Sequence, residues 1–303
     1  MLALALALAV AGCGGGSGTG SAPTTTTNLP GAGKPPVTIG TKNFPEEFLL
    51  GELYSQALTA KGFRVNLKSN VGATEIIYRA LTSGTLDMYP EYTGVITAVI
   101  GNQTKRLASE EAAYQEAQRI VSPEGLVLLE RTPFSDRDAI AVRPALARRY
   151  KLESIGDLAR IPGGATIGGP PEFKTREQGF VGMRNVYGLS NLHFRPFSIG
   201  QQYDALNRQK VDAVDVFTTD GQLSKGEYVV LKDPEDLFGF QNAVPLVREA
   251  VVSREGTEFA KTINAVSALL TTIEMRRMNH AVAVGQASPR VVAASFLHGH
   301  GLK

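Results

Sequence analysis

One segment of this chain occurs twice. Ala80-Leu-Thr-Ser-Gly-Thr-Leu-Asp87 is matched without a gap by Ala205-Leu-Asn-Arg-Gln-Lys-Val-Asp212, 125 positions later, and the match carries Tyr92-Thr93 onto Phe217-Thr218. Each copy reads as the end of a helix, a turn and an apolar strand that finishes on an aromatic. Two similar half-molecules facing one cleft account for such a repeat.

The chain has 303 residues, 43% of them hydrophobic, so it can bury a full core as one large or two medium domains; the repeat favours two. Its 31 basic and 29 acidic residues are interspersed and leave a net charge of +2, which supplies no field for nucleic acid. Trp is absent, so any aromatic box must be built from the 9 Tyr and 13 Phe.

The one cysteine, Cys13, excludes an intrachain disulfide. It closes the apolar run Leu2 to Ala11 in the order Val10-Ala11-Gly12-Cys13, which resembles a bacterial lipobox. Such a site implies cleavage after residue 12 and a diacylglycerol on the Cys13 thiol, anchoring the mature chain to a membrane through acyl chains. No Lys or Arg precedes the run, whereas secretory signals normally carry a positive start, so a longer native signal enclosing Met1 is an expectation and the true start is left open. Residues 1–13 are therefore read as a lipoprotein signal and the Gly-, Thr- and Pro-rich residues 14–36 as a tether. No later stretch approaches the ~20 apolar residues of a spanning helix.

From residue 37 the pattern alternates between strand and helix. Strands are expected at 37–40, 63–68, 86–89 and 126–130, with helices at 46–60, 74–81 and 110–121 between them. A second α/β unit follows: strands at 139–142, 165–168, 211–216 and 228–231, and helical segments at 154–159, 172–186, 201–207 and 219–224. A strand at 243–247 and helices at 255–270, 273–284 and 289–297 complete the chain. The last helices have no sheet of their own, so the first unit is their expected host. The organisation is then 37–138 plus 243–303 as lobe 1 and 139–242 as lobe 2. The chain crosses twice, near Asp138 and Asn242, which makes a two-strand hinge for a clamshell closing on a ligand.

No enzyme signature is present: Gly-x-Ser-x-Gly, Ser-x-x-Lys and the phosphate-loop pattern are all missing. The four histidines, His193, His280, His298 and His300, hold no metal-ligand pair at helical spacing, so no metal or cofactor is expected. Glu46-Glu47 open a helix, where the dipole favours carboxylates without any catalytic role.

Ile39-Gly-Thr-Lys-Asn-Phe44, Gly72-Ala-Thr-Glu75, Asp87-Met-Tyr-Pro-Glu-Tyr-Thr-Gly94, Glu172-Phe-Lys-Thr-Arg176 and Asp212 to Asp220 occur in an order that resembles the substrate-binding proteins of osmoprotectant ABC importers, over residues 37–303. The resemblance implies a type II periplasmic-binding-protein fold of two βα lobes. It also implies a ligand of the glycine betaine, choline or carnitine class, handed to a permease driven by a cytoplasmic ATPase. A lipid-anchored monomer on the extracytoplasmic face follows from the same family. A different amino-acid-like or larger betaine zwitterion, such as one derived from histidine, and a ligand-sensing receptor subunit are the alternative readings; only the company of permease and ATPase genes or of a kinase separates transport from sensing.

A quaternary ammonium cannot donate hydrogen bonds, so the family holds it on aromatic faces and holds the ligand carboxylate on an arginine. Carried over by motif, Tyr92 is a box tyrosine and Arg176 the carboxylate clamp. The other box positions depart from the pattern. Phe217 and Asp138 stand where relatives carry tyrosine, a further family tyrosine falls on Gln241, and Val95 stands where Thr or Asp is frequent. A register shift of a few residues would instead bring Phe134, Phe238 or Phe240 to the box. Thr218 belongs to a Thr218-Thr219-Asp220 helix cap beside the box, and Asn43 and Glu47 lie near the loop after the first strand, which in open α/β sheets points at the cleft.

Overall fold

The computed structural model describes residues 29–104 and 107–303. The lipidation site read at Cys13 and the tether up to residue 28 lie outside them. Residues 29–36 dock on the fold, with the Gly31 amide donating to the Lys61 carbonyl at 2.9 Å and Lys34 Nζ to the Arg254 carbonyl at 3.0 Å.

Two five-stranded sheets share one strand order. In the first, β1 (Val37–Gly40) runs parallel to β2 (Val65–Lys68) and β3 (Met88–Tyr92). The second sheet has its own starting strand β6 (Thr166–Gly169), parallel to β7 (His193–Pro196) and β8 (Ala213–Phe217). Each sheet receives one antiparallel strand from the chain that arrives from the other. This is β5 (Asp138–Val142) beside β8 in the second sheet and β10 (Ala243–Arg248) beside β3 in the first. The short strands β4 (Leu126–Leu128) and β9 (Val229–Val230) close the outer edges, so the orders β2-β1-β3-β10-β4 and β7-β6-β8-β5-β9 correspond strand for strand. This is the type II arrangement, and the sequence repeat falls on its equivalent strands β3 and β8.

Equivalent contacts fix the two copies. Asp87 accepts the Thr38 amide at 2.8 Å through its side chain and donates its own amide to the Thr38 carbonyl at 2.9 Å. Asp212 does the same with Thr166, at 2.9 Å for both bonds. Each aspartate thereby locks the start of the third strand onto the first. Pro90 does not stop the ladder as expected of a proline: β3 runs through it to Tyr92, and Pro90 sits opposite Pro245 of β10, so two missing donors meet at one rung.

The helix Pro45–Ala60 buries Leu49, Leu50, Leu53, Tyr54, Ala57 and Leu58 against the first sheet. The helices Thr257–Ser267, Thr272–Ala283 and Pro289–Gly299 pack on it through Phe259, Ile263, Met275, Met278 and Phe296, as the host argument expects. The helix expected over 255–270 is observed as Thr257–Ser267, and an unexpected helix, Glu249–Glu255, precedes it, the two separated at Gly256, whose φ of +83° suits only glycine. The helix expected over 172–186 is likewise divided into a 3₁₀ turn, Pro171–Lys174, and a helix, Phe180–Val186. The capping box of Ser154 and Asp157 is present. Asp220 makes no cap: its carboxylate turns back to accept the Phe217 amide at 3.0 Å and the Tyr203 hydroxyl at 2.7 Å.

The two crossing segments run side by side between the sheets. Ser135 and Asn242 form an antiparallel bridge, and the Asp136 amide donates to the Gln241 carbonyl at 2.8 Å. Asn242 is fully buried and ties the first segment down through the Thr132 and Phe134 carbonyls.

Candidate functional site

The carboxyl ends of β1, β3, β6 and β8 and the amino end of the antiparallel β5 open into one cleft between the sheets, a cavity of ≈ 60 Å³. It continues into a chamber of ≈ 230 Å³ past Phe44 and Phe217, and into one of ≈ 240 Å³ past Arg176 and Gln241.

Three rings form a row along it. Phe44 stacks on Tyr92 with centroids 6.3 Å apart and planes at 23°, and on Phe217 at 5.8 Å and 14°. Tyr92 and Phe217 stand at the ends of the equivalent strands, one in each sheet; Phe44 is the residue before the helix Pro45–Ala60. The Tyr92 hydroxyl donates to Glu46 at 2.7 Å, and burial together with Glu46 holds it protonated well above the ordinary tyrosine range. Phe44 is the ring of this row that the sequence reading missed. Phe134 and Phe238 lie in the core and Phe240 lines a separate small pocket, so none of the three supplies a face.

Two cations face the cleft. Lys42 Nζ lies 4.3 Å from the Tyr92 ring centroid and 5.5 Å from that of Phe44, and pairs with the buried carboxylate of Glu91. Glu91 is further held by the Thr74 hydroxyl at 3.2 Å, the Tyr89 hydroxyl at 3.1 Å and the Tyr92 amide at 2.8 Å, which fix its side chain in place. Arg176 follows the 3₁₀ turn after β6. Its guanidinium approaches Glu75 across the cleft at 3.7 Å, and its buried Nε has no hydrogen-bond acceptor among the described residues. A ligand carboxylate is the chemistry such a half-satisfied fork accepts.

Carboxyl groups crowd the opposite wall. Asp138 begins the crossing strand β5 beside Phe217, and burial, opposed by Arg176, pushes it up to about 6. Asp215, fully buried behind it, is raised further by burial and by the Asp138 charge. Asp136 is raised well above the carboxylate range by burial and Glu46, and it meets the Thr219 hydroxyl, which also reaches Glu46 across the lobes at 2.6 Å.

Of the residues singled out by sequence, Tyr92, Arg176, Phe217, Asp138, Gln241, Val95 and Asn43 all line the cleft. The Gln241 amide accepts the Val95 N–H at 3.1 Å and donates to Gln178 at 3.3 Å, pinning the crossing segment against the turn after Tyr92. Gly94 permits this approach: a Cβ there would lie 2.5 Å from the Phe240 carbonyl oxygen. Thr218 and Glu47 are not brought to the cleft. Thr218 bonds the Arg137 amide and Ser135 carbonyl within the crossing segment, and Glu47 is buried behind Lys42, whose amide it accepts at 3.1 Å. Lys42 and Asp136 join Phe44 as lining residues that sequence reasoning did not select; Lys42 lay within the quoted Ile39–Phe44 motif. Among the described residues there is no His/Cys/Asp/Glu group arranged to hold a metal, and no helix long and apolar enough to cross a membrane.

Residues 35–299 match the family described as the substrate binding domain of ABC-type glycine betaine transport system. A glycine-betaine-binding protein of Pseudomonas aeruginosa is 33% identical, over 87% of this chain and 88% of the relative. The ergothioneine transport permease/ergothioneine binding protein of Helicobacter pylori is 28% identical over 88% of this chain; the match spans 48% of that longer protein. Among solved structures, a glycine betaine/carnitine/choline ABC transporter protein superposes with a TM-score of 0.71 at 25% identity, covering 88% of this chain and 99% of the other. The family match favours a transport component over the sensing subunit, and a quaternary ammonium over an amino-acid-like ligand.

Proposed function

Because the chain belongs to the family of substrate-binding domains of ABC-type glycine betaine transport systems, we propose that its cleft binds a small quaternary ammonium of the glycine betaine, carnitine and choline class. As a member of that family it is the extracytoplasmic substrate-binding component of an importer, and its partners are a small ligand and a permease. The observation that carries the ligand assignment is the row Tyr92, Phe44 and Phe217 in the same cleft as Arg176.

In this reading the methylated ammonium lies against ring faces, each worth about 0.5–2 kcal/mol. Arg176 takes the ligand carboxylate on its free Nε edge. Lobe 1, residues 37–138 with 243–303, and lobe 2, residues 139–242, close about the paired crossing segments. Cys13 carries the lipid that anchors the mature monomer, with residues 14–28 as its tether and residues 29–36 docked on the fold.

A thermal-shift panel of quaternary amines and amino acids tests this. Ligand at a hundredfold excess over Kd adds about 2.7 kcal/mol to stability, so glycine betaine, carnitine or choline is expected to give the largest rise in melting temperature. A panel in which amino acids dominate and these three are silent would overturn the assignment. For the anchor, the wild-type chain is expected in the membrane fraction and Cys13→Ala in the soluble one; equal partition removes it.

A further inference from the structure

A carboxyl group in the first turn of a helix needs only the dipole to account for it. Glu46, in the first turn of Pro45–Ala60, has more: its side chain is buried, and both oxygens accept from side chains of other segments. Oε1 takes the Tyr92 hydroxyl at 2.7 Å, from the end of β3. Oε2 takes the Thr219 hydroxyl and the Asn279 amide, each at 2.6 Å. Thr219 belongs to the turn after β8, two residues beyond Phe217, and Asn279 to the helix Thr272–Ala283. Glu46 itself stands two residues after Phe44. One carboxyl group is thereby linked to every ring of the row, directly to Tyr92, along the chain to Phe44, and through Thr219 to Phe217. It also reaches from the half built on the first sheet to the half built on the second.

The turn that Glu46 reaches is held from the same side by the helix Thr272–Ala283. Arg276 Nε donates to the Thr218 carbonyl at 2.8 Å, Asn279 Nδ2 to the Thr219 carbonyl at 3.0 Å, and the His280 ring meets the Gly221 carbonyl at 3.1 Å. Backbone packs on backbone here: a Cβ on Gly221 would lie 2.3 Å from the His280 Cα. These contacts are separate from the bridge of Ser135 and Asn242 between the crossing segments, so the halves are tied at a second place, beside the rings. The Thr219 hydroxyl has one proton and two carboxyl neighbours, Glu46 and Asp136; Asp136, raised by burial and by Glu46, carries the second proton.

We propose that Glu46 is a positioning residue for ligand binding: its carboxyl group clasps the turn after Phe217 to Tyr92, so that closing the halves and setting the ring row are one event. The proposal rests on the cleft being a quaternary-ammonium site. Glu46 lines the chamber of ≈ 230 Å³ beyond the rings and not the cleft itself, so it acts through Tyr92 and Thr219. Loss of either hydroxyl breaks the same chain of bonds, and loss of the second then adds little.

The test is a double-mutant cycle on glycine betaine affinity, read by titration calorimetry of the full chain. Tyr92→Phe keeps the ring and removes one hydroxyl; Thr219→Val keeps the shape and removes the other. Each is expected to weaken binding by about 3- to 10-fold, and the double variant by at least about threefold less than the product of the two. In a Glu46→Gln background the coupling is expected to vanish. Thr219→Ser, which keeps the hydroxyl, is expected to recover most of the loss seen in Thr219→Val. A residue that only stabilised the fold would lower the melting temperature without coupling the two hydroxyls in affinity. X-ray scattering by the unliganded chain is expected to give a larger radius of gyration for Thr219→Val than for the parent. Additive losses across the cycle, or equal radii, overturn the proposal and leave the function standing. A parent chain that binds none of glycine betaine, carnitine and choline overturns the function, and the proposal with it.

Discussion

The ring of Phe44, from the loop that follows the first strand of one sheet, lies nearly parallel to the ring of Phe217, from the end of the third strand of the other, at 5.8 Å and 14°. This contact joins the two halves at the cleft, and it places an aromatic face where the family pattern has no box residue. Because Tyr92 also stacks on Phe44, at 6.3 Å, Phe44 is the central ring.

Phe44→Ala is expected to weaken a quaternary-ammonium ligand by roughly 3- to 30-fold, the loss of one ring face. Phe44→Leu keeps the apolar contact and removes the quadrupole, so it should lose affinity as well. Titration calorimetry reads both; full affinity in the leucine variant would mean that the ring contributes packing alone.

Arg176→Ala should cost a carboxylate-bearing ligand roughly 10- to 100-fold in affinity, the worth of hydrogen bonds to a charged group, and leave the melting temperature of the free protein in place. The side chain is partly open to the cleft and its one ion pair, to the exposed Glu75, is long, so little stability depends on it. A variant that binds glycine betaine as tightly as the parent removes the clamp.

Glu47 gives the fold a pH signature. Burial raises its carboxyl from 4.5 to about 8, with Lys42 opposing. The folded chain holds this proton where the unfolded chain has lost it, so stability is full below the unfolded value and falls as pH rises through the folded one. Urea midpoints are expected to decline between pH 4.5 and about 8 in the parent and to decline less in Glu47→Gln, by an amount on the order of a few kcal/mol at the alkaline end. Parallel curves would place the titration elsewhere.

Asp87→Ala and Asp212→Ala should destabilise by similar amounts, about 1–3 kcal/mol each, because each leaves an amide of the first strand, Thr38 or Thr166, without its acceptor. Urea denaturation of the two variants checks this. A loss confined to one of them would mean that the shared segment is repeated in sequence but not in energetics.

The repeat was legible because both copies obey the same local grammar: helix end, turn, aspartate, strand, aromatic. Tyr92, Phe217 and Asp138 follow from it and from the motifs, since strand ends in such sheets point at the cleft. Phe44 was not, because local grammar already explains it as the residue before Pro45 at a helix start, and its partner Phe217 is far away in sequence. Lys42 was hidden for the same reason, its partner Glu91 lying on another strand. The strand His193–Pro196 escaped because it is mostly exposed and carries no apolar alternation. The helix expected over 172–186 failed where Gly179 approaches the Phe173 carbonyl so closely that a Cβ would sit 2.6 Å from it, a constraint set by packing.

The position of β10 orders events in time as well as in space. This strand, residues 243–248, lies between β3 and β4, and within the first sheet β4 pairs with it alone. The sheet that begins with residue 37 is therefore incomplete until residue 248 has been made, whereas every strand of the second sheet is in hand by residue 230. As the chain is produced from its N-terminus, the half that starts later is the first able to close. It then presents its returning segment, already paired at Ser135 and Asn242, as the template on which the older half finishes.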